Sequence, residues 1–403
     1  MTITRRQFLG RCAIAVAAAG LNQSRLTAAV TNVVLNGPAK KVLILGAGMA
    51  GLVSGYELSK LGHDVTILEG RTRPGGRVHT LREPFDDGLY AEEGAARIPD
   101  DHDLTLKYVK VFNLPLEPFY PSKLHAVRFD RDGREEVPID GFTDAMTRNY
   151  SEELGGDPHR WHKITGGMDA LPRAFATHLA DKIHYDAAVG RIDQDAKQAT
   201  VKFKEKGVVQ TLSADVVLST IPFSVLRHLE LPALSSRRKD QIKRTSYGGV
   251  SRVYLQTKNR FWEKNGLNGF AFTKNAIEIW QPTWSQPGTR GILMTYARPG
   301  EAERVSSLKE PERITFALDQ LDPIFTGLRA NFEHGATKCW IEDEWARGAW
   351  GFAGLESAFS LREGRIYFAG EHLSPWSSWI QGALWSGLKA VKEIDQSVSV
   401  ALR

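Results

Sequence analysis

The stretch Lys41–Arg77, KVLILGAGMAGLVSGYELSKLGHDVTILEGRTRPGGR, decides the fold. A short apolar run, Val42 to Leu45, stops at Gly46-Ala47-Gly48-Met49-Ala50-Gly51. An alanine- and leucine-bearing segment follows, and a second apolar run, Val65 to Leu68, stops at Glu69. Strand, glycine turn, helix, strand and acid make up a dinucleotide-binding βαβ unit. Gly46 permits the tight turn, Gly48 lets the backbone approach a pyrophosphate, and Gly51 lets helix and strand pack closely. The first N–H groups of the helix and its positive dipole end then face the phosphates. Glu69 stands where a carboxylate accepts hydrogen bonds from ribose hydroxyls.

Upstream, residues 1–29 carry Arg5, Arg6, Arg11 and Arg25 and no acid. Thr4-Arg5-Arg6-Gln7-Phe8-Leu9 resembles a twin-arginine export motif. The apolar run Ala13–Leu21 is too short to span a bilayer, and Thr27-Ala28-Ala29 offers small residues for cleavage. These features predict a twin-arginine signal peptide over 1–29 and a periplasmic or secreted product. The net charge of +5 falls to +1 without those four arginines, so charge gives no support for a nucleic-acid partner. Hydrophobic content of 42% and charged content of 25% over 403 residues suit a globular chain of two domains. With only Cys12 and Cys339 present, loss of Cys12 with the signal leaves no intramolecular disulfide and no cysteine metal cluster.

Downstream, residues 101–160 read as partly helical and polar, with a hairpin around Asp130 to Gly133. A helix runs from the Gly166-Gly167 pair through Leu179. Strands are predicted at Lys182–Tyr185, Ala188–Ile192, Thr200–Phe203 and Ala214–Ser219. Further strands fall at Val250–Gln256, Gly269–Phe272, Ala276–Trp280, Gly291–Tyr296 and Ile366–Glu371. Leu308–Leu328 reads as helix with a break near Pro323, and Trp379–Ile394 as a closing amphipathic helix. HExxH, GxSxG and cysteine-rich zinc patterns are absent from the sequence. His159 and His162 lie in a polar stretch and read as solvent-facing rather than as metal ligands.

Several separated motifs resemble one family, the flavin amine oxidases, and most closely its bacterial L-amino acid oxidases. They are GAGMAG with Glu69, PGGR at 74–77, EGAARIP at 93–99, GGMDALP at 166–172, ADVVLSTIP at 214–222, RFW at 260–262 and FAGEHLSPWSSWIQGALWSG at 368–387. The last separates these flavoproteins from nicotinamide-dependent enzymes, which share only the first βαβ unit. The resemblance implies an α/β fold. A Rossmann-like, glutathione-reductase-like FAD-binding domain (38–95, 165–230 and 360–403) interleaves with an α+β substrate-binding domain (96–164 and 231–359).

Carried over by motif, the resemblance implies that Gly46, Gly48, Met49, Ala50, Gly51, Glu69, Gly70, Arg71, Gly76 and Arg77 hold the ADP half of FAD. Val189 meets the adenine through its backbone. Glu371 serves the ribityl–pyrophosphate side, and Ala96, Arg97, Trp379 and Ile380 lie at the flavin. With no cysteine near the C-terminal motif, the FAD is expected to be noncovalent. Arg97 is the implied clamp for a substrate carboxylate, with an ion pair to Glu92 or Glu93 as the structural alternative. Trp280 and Gln281 occupy the strand that supplies a second contact to the substrate. Arg252 stands where the family commonly carries a lysine linked through water to flavin N5.

The implied reaction is oxidation of an L-amino acid by hydride transfer to FAD, giving an imine, then a 2-oxo acid, ammonia and hydrogen peroxide. The alternatives are an amine or polyamine oxidase, and a dehydrogenase that uses an acceptor other than oxygen. A nicotinamide-dependent dehydrogenase and a catalytically silent flavoprotein are more distant readings. Residues 100–165 are shorter than the family's usual helical lid. The expected partners are a small-molecule substrate, molecular oxygen or another electron acceptor, the twin-arginine export machinery and a second copy of the chain in a homodimer.

Overall fold

The computed structural model describes residues 38–130, 133–150, 157–273, 277–352 and 361–397. The amino-terminal segment with Arg5, Arg6 and Cys12, and Ala276 at the start of one expected strand, lie outside the described residues. In chain order come β1 (Lys41–Leu45), α1 (Met49–Lys60), β2 (Asp64–Leu68), α2 (Asp103–Val111) and the hairpin β3 (His125–Asp130) and β4 (Gly133–Pro138). Next are α3 (Ala170–His178), β5 (Ile183–His184), β6 (Ala187–Gln194), β7 (Ala199–Glu205), β8 (Val208–Ala214) and β9 (Val216–Ser219). The chain continues through β10 (Ser251–Thr257), β11 (Leu267–Thr273), β12 (Glu278–Trp280), β13 (Gly291–Ala297), α4 (Glu310–Leu321) and β14 (Phe332–Cys339). It closes with β15 (Arg362–Glu363), β16 (Ile366–Phe368) and α5 (Ile380–Gln396).

The central sheet has the order β15-β16-β9-β1-β2-β5 and is parallel except at β15. Side chains alternate along β1 and so build two cores. Val42 and Ile44 face α1, α3 and α5, whereas Leu43 and Leu45 face the antiparallel trio β6-β7-β8. Each such buried aliphatic side chain stabilises the fold by roughly 1.5–3 kcal/mol. The sheet is therefore a filling between helices and a small sheet. Its strands come from three stretches of sequence more than a hundred residues apart, and its parallel pairs require crossover connections between them.

The second sheet runs β14-β10-β13-β12-β11-β3-β4, antiparallel except for the β11–β3 pair. Alternation again divides it. Val253, Leu255, Ile279 and Leu293 pack on α4 through Ala317, Leu318 and Leu321. Tyr254, Trp280, Met294 and Tyr296 form the other face, against Ala96, Phe119, Tyr120 and Trp161. That face carries the candidate site.

Several expectations are corrected. The strand read as Ala214–Ser219 is two strands, β8 and β9. They meet at Asp215, whose carboxylate accepts from the Lys41 N–H at 2.8 Å. β8 escaped notice because its first four residues are exposed at a sheet edge, with no buried alternation to mark it. β14 and the basic helix Ser236–Arg244 were also missed. The first is half-buried and interrupted by Glu333, His334 and Lys338; the second buries only Arg238 and Ile242. The helical stretch from Leu308 starts at Glu310, ends at Leu321 and resumes only at Leu328–Asn331.

Residues after 96, assigned to the substrate side, begin on the other core. Ile98, Leu104, Tyr108 and Val109 pack with α1 and α5. The reason is the amphipathic spacing of α2, which lays one apolar stripe on that helix pair. The backbone N–H of Thr105 donates to Gln381 Oε1 at 3.0 Å.

Candidate active site

The glycine turn after β1 has the chemistry of a phosphate cradle. Gly46 has φ +103, and a Cβ built on Gly51 would lie 2.0 Å from the Gly46 carbonyl oxygen. Both positions therefore require glycine. A Cβ on Gly48 meets nothing within 4 Å, which leaves open space directly before the N-terminus of α1. Gly48 forms a parallel bridge with Gly75, bringing the second glycine turn alongside the first. Gly76, at φ +56, faces only the Gly48 Cα, at 3.4 Å. Two open backbone turns at one helix N-terminus, with Met49 and Ala50 opening the helix, fit a pyrophosphate.

Glu69 is buried at the end of β2. Its carboxylate accepts from the Ala47 N–H at 2.6 Å and the Arg71 N–H at 2.8 Å, so it braces the turn itself. Burial raises its pKa despite those donors. Gly70 is covered by Trp345, whose ring a Cβ would approach to 2.5 Å, and Arg71 pairs with Asp343. The Ala187 N–H donates to the Glu69 carbonyl, which sets Val189, at a bulge in β6, beside this end of the cradle.

Arg77 links the two ends of the site. Its Nη1 donates to Glu371 Oε1 and to the Ala349 carbonyl, both at 2.8 Å. Glu371 Oε2 accepts the N–H of Ser378 at 2.9 Å, and Oε1 also takes that of Gly351 at 3.0 Å. Burial alone would raise the Glu371 carboxyl, yet Arg77, His372 and these amides hold it below the usual range. Glu371 thus fixes the loop before α5, where Ser378 has φ +72 and Trp379 caps the helix that starts at Ile380. The Trp379 ring stands edge-on to His102 at 4.9 Å. Burial drives the His102 pKa down to about 3, so this imidazole is neutral.

The other wall is the aromatic face of the second sheet. Cross-strand register places Arg252, Tyr296 and Glu278 in one row. Trp280 shares that face by alternation and stacks on Tyr296 at 4.6 Å. Arg97 reaches it because Ile98 bridges to His162, which carries Trp161 alongside. The Arg97 guanidinium sits 4.5 Å from the Trp161 centroid and 4.7 Å from that of Trp280, with Phe119 and Tyr296 within 5.9 Å. Its side chain is 9% exposed, and Nη1 has no hydrogen-bond partner among the described residues.

The alternative ion pair with Glu92 or Glu93 is not formed. Glu92 accepts from Thr80 and the Met168 N–H, and Glu93 from His79. The carboxylate near Arg97 is Glu278, at 3.7 Å, itself held by Arg298 Nε and Trp280 Nε1 at 2.9 Å each. Gln281 falls on the opposite face, against Gly269 and Trp262, because neighbouring residues of an extended chain alternate. It does not join Arg97. Glu278, Tyr296, Trp161, Phe119 and His102 were missed. Of these only Glu278 left a signal, as a lone acid two residues from Trp280 in an apolar strand.

The segment behind Arg97 carries a titration. Burial pushes the Glu92 carboxyl up to about 7 from an ordinary 4.5. The folded chain therefore keeps a proton that the unfolded chain has released. This contribution is complete below pH 4.5 and is lost as pH rises through about 7, at about 1.4 kcal/mol per unit. Urea unfolding across that window should show wild type losing stability relative to Glu92→Gln as pH rises. Parallel curves would refute the assignment.

Comparison with known proteins gives the family. The family model described as flavin containing amine oxidoreductase matches residues 49–141 and 142–395. The chain belongs to this family. A putative L-amino-acid oxidase, YobN, of Bacillus subtilis (strain 168) is 30% identical, over 89% of this chain and 95% of that protein. The flavin-dependent L-tryptophan oxidase RebO of Lentzea aerocolonigenes is 29% identical, over 88% and 98%. Among solved structures, cyclohexylamine oxidase from Brevibacterium oxydans IH-35A superposes with a TM-score of 0.76 at 19% identity, covering 89% of this chain and 99% of that one. A redesigned putrescine oxidase gives 0.76 at 18%, covering 88% and 99%. The fold is that of an FAD-binding amine oxidase, as the sequence motifs implied, and the protein is an FAD-dependent oxidoreductase of amines.

Proposed function

We propose that the amine oxidised is that of an L-amino acid and that Arg97 binds its carboxylate. The observation that carries this is the Nη1 of a buried arginine held between Trp161 and Trp280, which has no hydrogen-bond acceptor among the described residues and only the Glu278 carboxylate at 3.7 Å. A buried guanidinium donor costs free energy unless an acceptor meets it, and the planar fork suits a carboxylate. The rings cover its faces, so a carboxylate approaches along the edge. Glu278 steadies Trp280 and, at a longer distance, Arg97, while Arg298 balances its charge.

FAD, when bound, would supply the acceptor for the hydride leaving the substrate Cα. Arg97 orients the substrate so that this hydrogen faces the cofactor, a placement that lowers the barrier entropically. Buried, neutral His102 supports the Trp379 ring edge-on. The imine would then hydrolyse to a 2-oxo acid and ammonia, and with dioxygen as acceptor the two electrons would leave as hydrogen peroxide. Gly46, Gly48, Gly51, Gly76, Arg77 and Glu69 hold the ADP half, noncovalently. The cysteine of the described residues, Cys339, is buried opposite Ser251, on the sheet face turned away from Arg252.

The relatives YobN and RebO support an amino-acid substrate by name. The Arg97–Glu278 contact favours a second reading, an amine oxidase in which Arg97 is structural. A panel of L-amino acids and their decarboxylated amines, followed by peroxide release and anaerobic flavin bleaching, separates the two. Activity confined to the amines overturns the first reading. Bleaching without peroxide assigns another electron acceptor, in keeping with Arg252 at the position where the family carries lysine.

The twin-arginine segment supports export of the folded holoenzyme to the periplasm. Changing Arg5 and Arg6 together to Lys should move activity from the periplasmic to the cytoplasmic fraction. Unchanged fractionation would end that assignment.

A further inference from the structure

We infer that the substrate is an amino acid with a second carboxylate in its side chain, of the aspartate or glutamate class, and that Arg252 receives that group. This rests on the amino-acid reading above and adds a specificity determinant to it.

Arg252 is 4% exposed and forms no ion pair among the described residues. Its Nη1 donates to the Glu92 carbonyl, which also takes the Tyr254 hydroxyl at 2.8 Å. Its Nε is buried without a partner. A buried cation lacking a counter-anion costs several kcal/mol. The Tyr296 and Trp280 rings, at 4.9 and 5.3 Å, offset part of this. The Glu92 carboxyl lies within its field, but burial favours the protonated form of that group, so an anion bound from outside the chain would complete the balance.

Its position says which anion. Arg97 and Arg252 lean on the same stacked pair, Trp280 and Tyr296. Lying 4.7 and 5.3 Å from one centroid, their guanidinium carbons are within 10.0 Å of each other. Standard bond lengths put the two carboxylate carbons of aspartate or glutamate roughly 4–5 Å apart. A charge-assisted contact of ~2.8 Å sets each guanidinium carbon roughly 4 Å from its carboxylate carbon, so a bent ligand can meet both arginines within that limit. Three arginines, Arg97, Arg252 and Arg298, surround this wall, and Glu278 is the acid paired with two of them. The excess positive charge suits a ligand with two negative groups. The aromatic rings act as rigid spacers between them.

The test uses full-length holoenzyme and the isosteric pairs L-glutamate/L-glutamine and L-aspartate/L-asparagine, with L-leucine and L-tryptophan as apolar controls. The acids should exceed their amides in kcat/KM by at least ~100-fold, since a site built for a charged group rejects its neutral analogue. Arg252→Met should collapse that ratio toward unity, and Arg252→Lys should restore most of it. Binding gives a second readout on wild type alone: glutarate should perturb the flavin absorbance at concentrations where butyrate does not. Equal use of acids and amides, preference for leucine or tryptophan, or an unchanged ratio in Arg252→Met each overturns the inference while leaving the amino-acid reading intact. Absence of bleaching by every amino acid overturns that reading itself.

Discussion

Replacing Arg97 by Leu should lower kcat/KM for L-amino acids by about a thousandfold, chiefly through KM. Removing one partner of a desolvated, hydrogen-bonded charge pair costs roughly 2–5 kcal/mol, and every 1.4 kcal/mol is tenfold. The site favours the upper part of that range, because Arg97 is 9% exposed and water cannot replace it. Glu278 keeps Arg298 and Trp280 as partners in the variant, so the wall should remain standing. Arg97→Lys should recover only part of the loss, since an ammonium lacks the fork and stacks less well between Trp161 and Trp280. The deciding comparison is with decarboxylated amines. If Arg97→Leu slows amines as much as amino acids, Arg97 supports the wall and clamps nothing.

Replacing Gly51 by Ala should give a protein that purifies without FAD and melts at a lower temperature. The added methyl would lie 2.0 Å from the Gly46 carbonyl oxygen, 3.0 Å from Thr220 Oγ1 and 3.1 Å from the Gly46 carbonyl carbon. Backbone cannot rotate away as a long side chain can, so α1 must shift outward from β1. Such overpacking costs about 1–3 kcal/mol. The shift also opens the turn whose N–H groups face the phosphates. Gly48→Ala is the contrast, because its methyl meets nothing within 4 Å in the protein. It should fold with the wild-type melting temperature as apoprotein and still bind FAD poorly, the methyl filling space the phosphates need. The flavin-to-protein absorbance ratio and apoprotein melting measure both effects. Full FAD occupancy in Gly51→Ala would show that the turn tolerates the shift.

The contrast between Glu371 and Arg97 shows how differently two motif residues were legible. Glu371 lies in a long, dense motif, and its environment is mostly local: it holds Ser377, Ser378 and the loop before α5, with Arg77 as the distant partner. The environment of Arg97 comes from four separate stretches of chain, bearing Phe119, Trp161, the pair Glu278 and Trp280, and Tyr296. A resemblance could nominate the arginine but not its neighbours. The ion pair considered for it was drawn from adjacent acids, Glu92 and Glu93, and the fold turned both elsewhere.

The sequence by itself determined the βαβ unit, its glycine turn and acid, the FAD-type C-terminal motif and the strands on which Trp280 and Arg252 stand. These follow from local rules: backbone freedom at glycine, strand alternation and helix periodicity act within a few residues. Tertiary structure alone decided that the Trp280 side of its strand is the one facing Arg97, and that Glu278, Tyr296 and Arg252 form one row. It also decided that α2 joins the core of α1 and α5. Cross-strand register and the pairing of distant segments set these contacts. Both depend on how whole faces bury, a quantity no short window of residues contains.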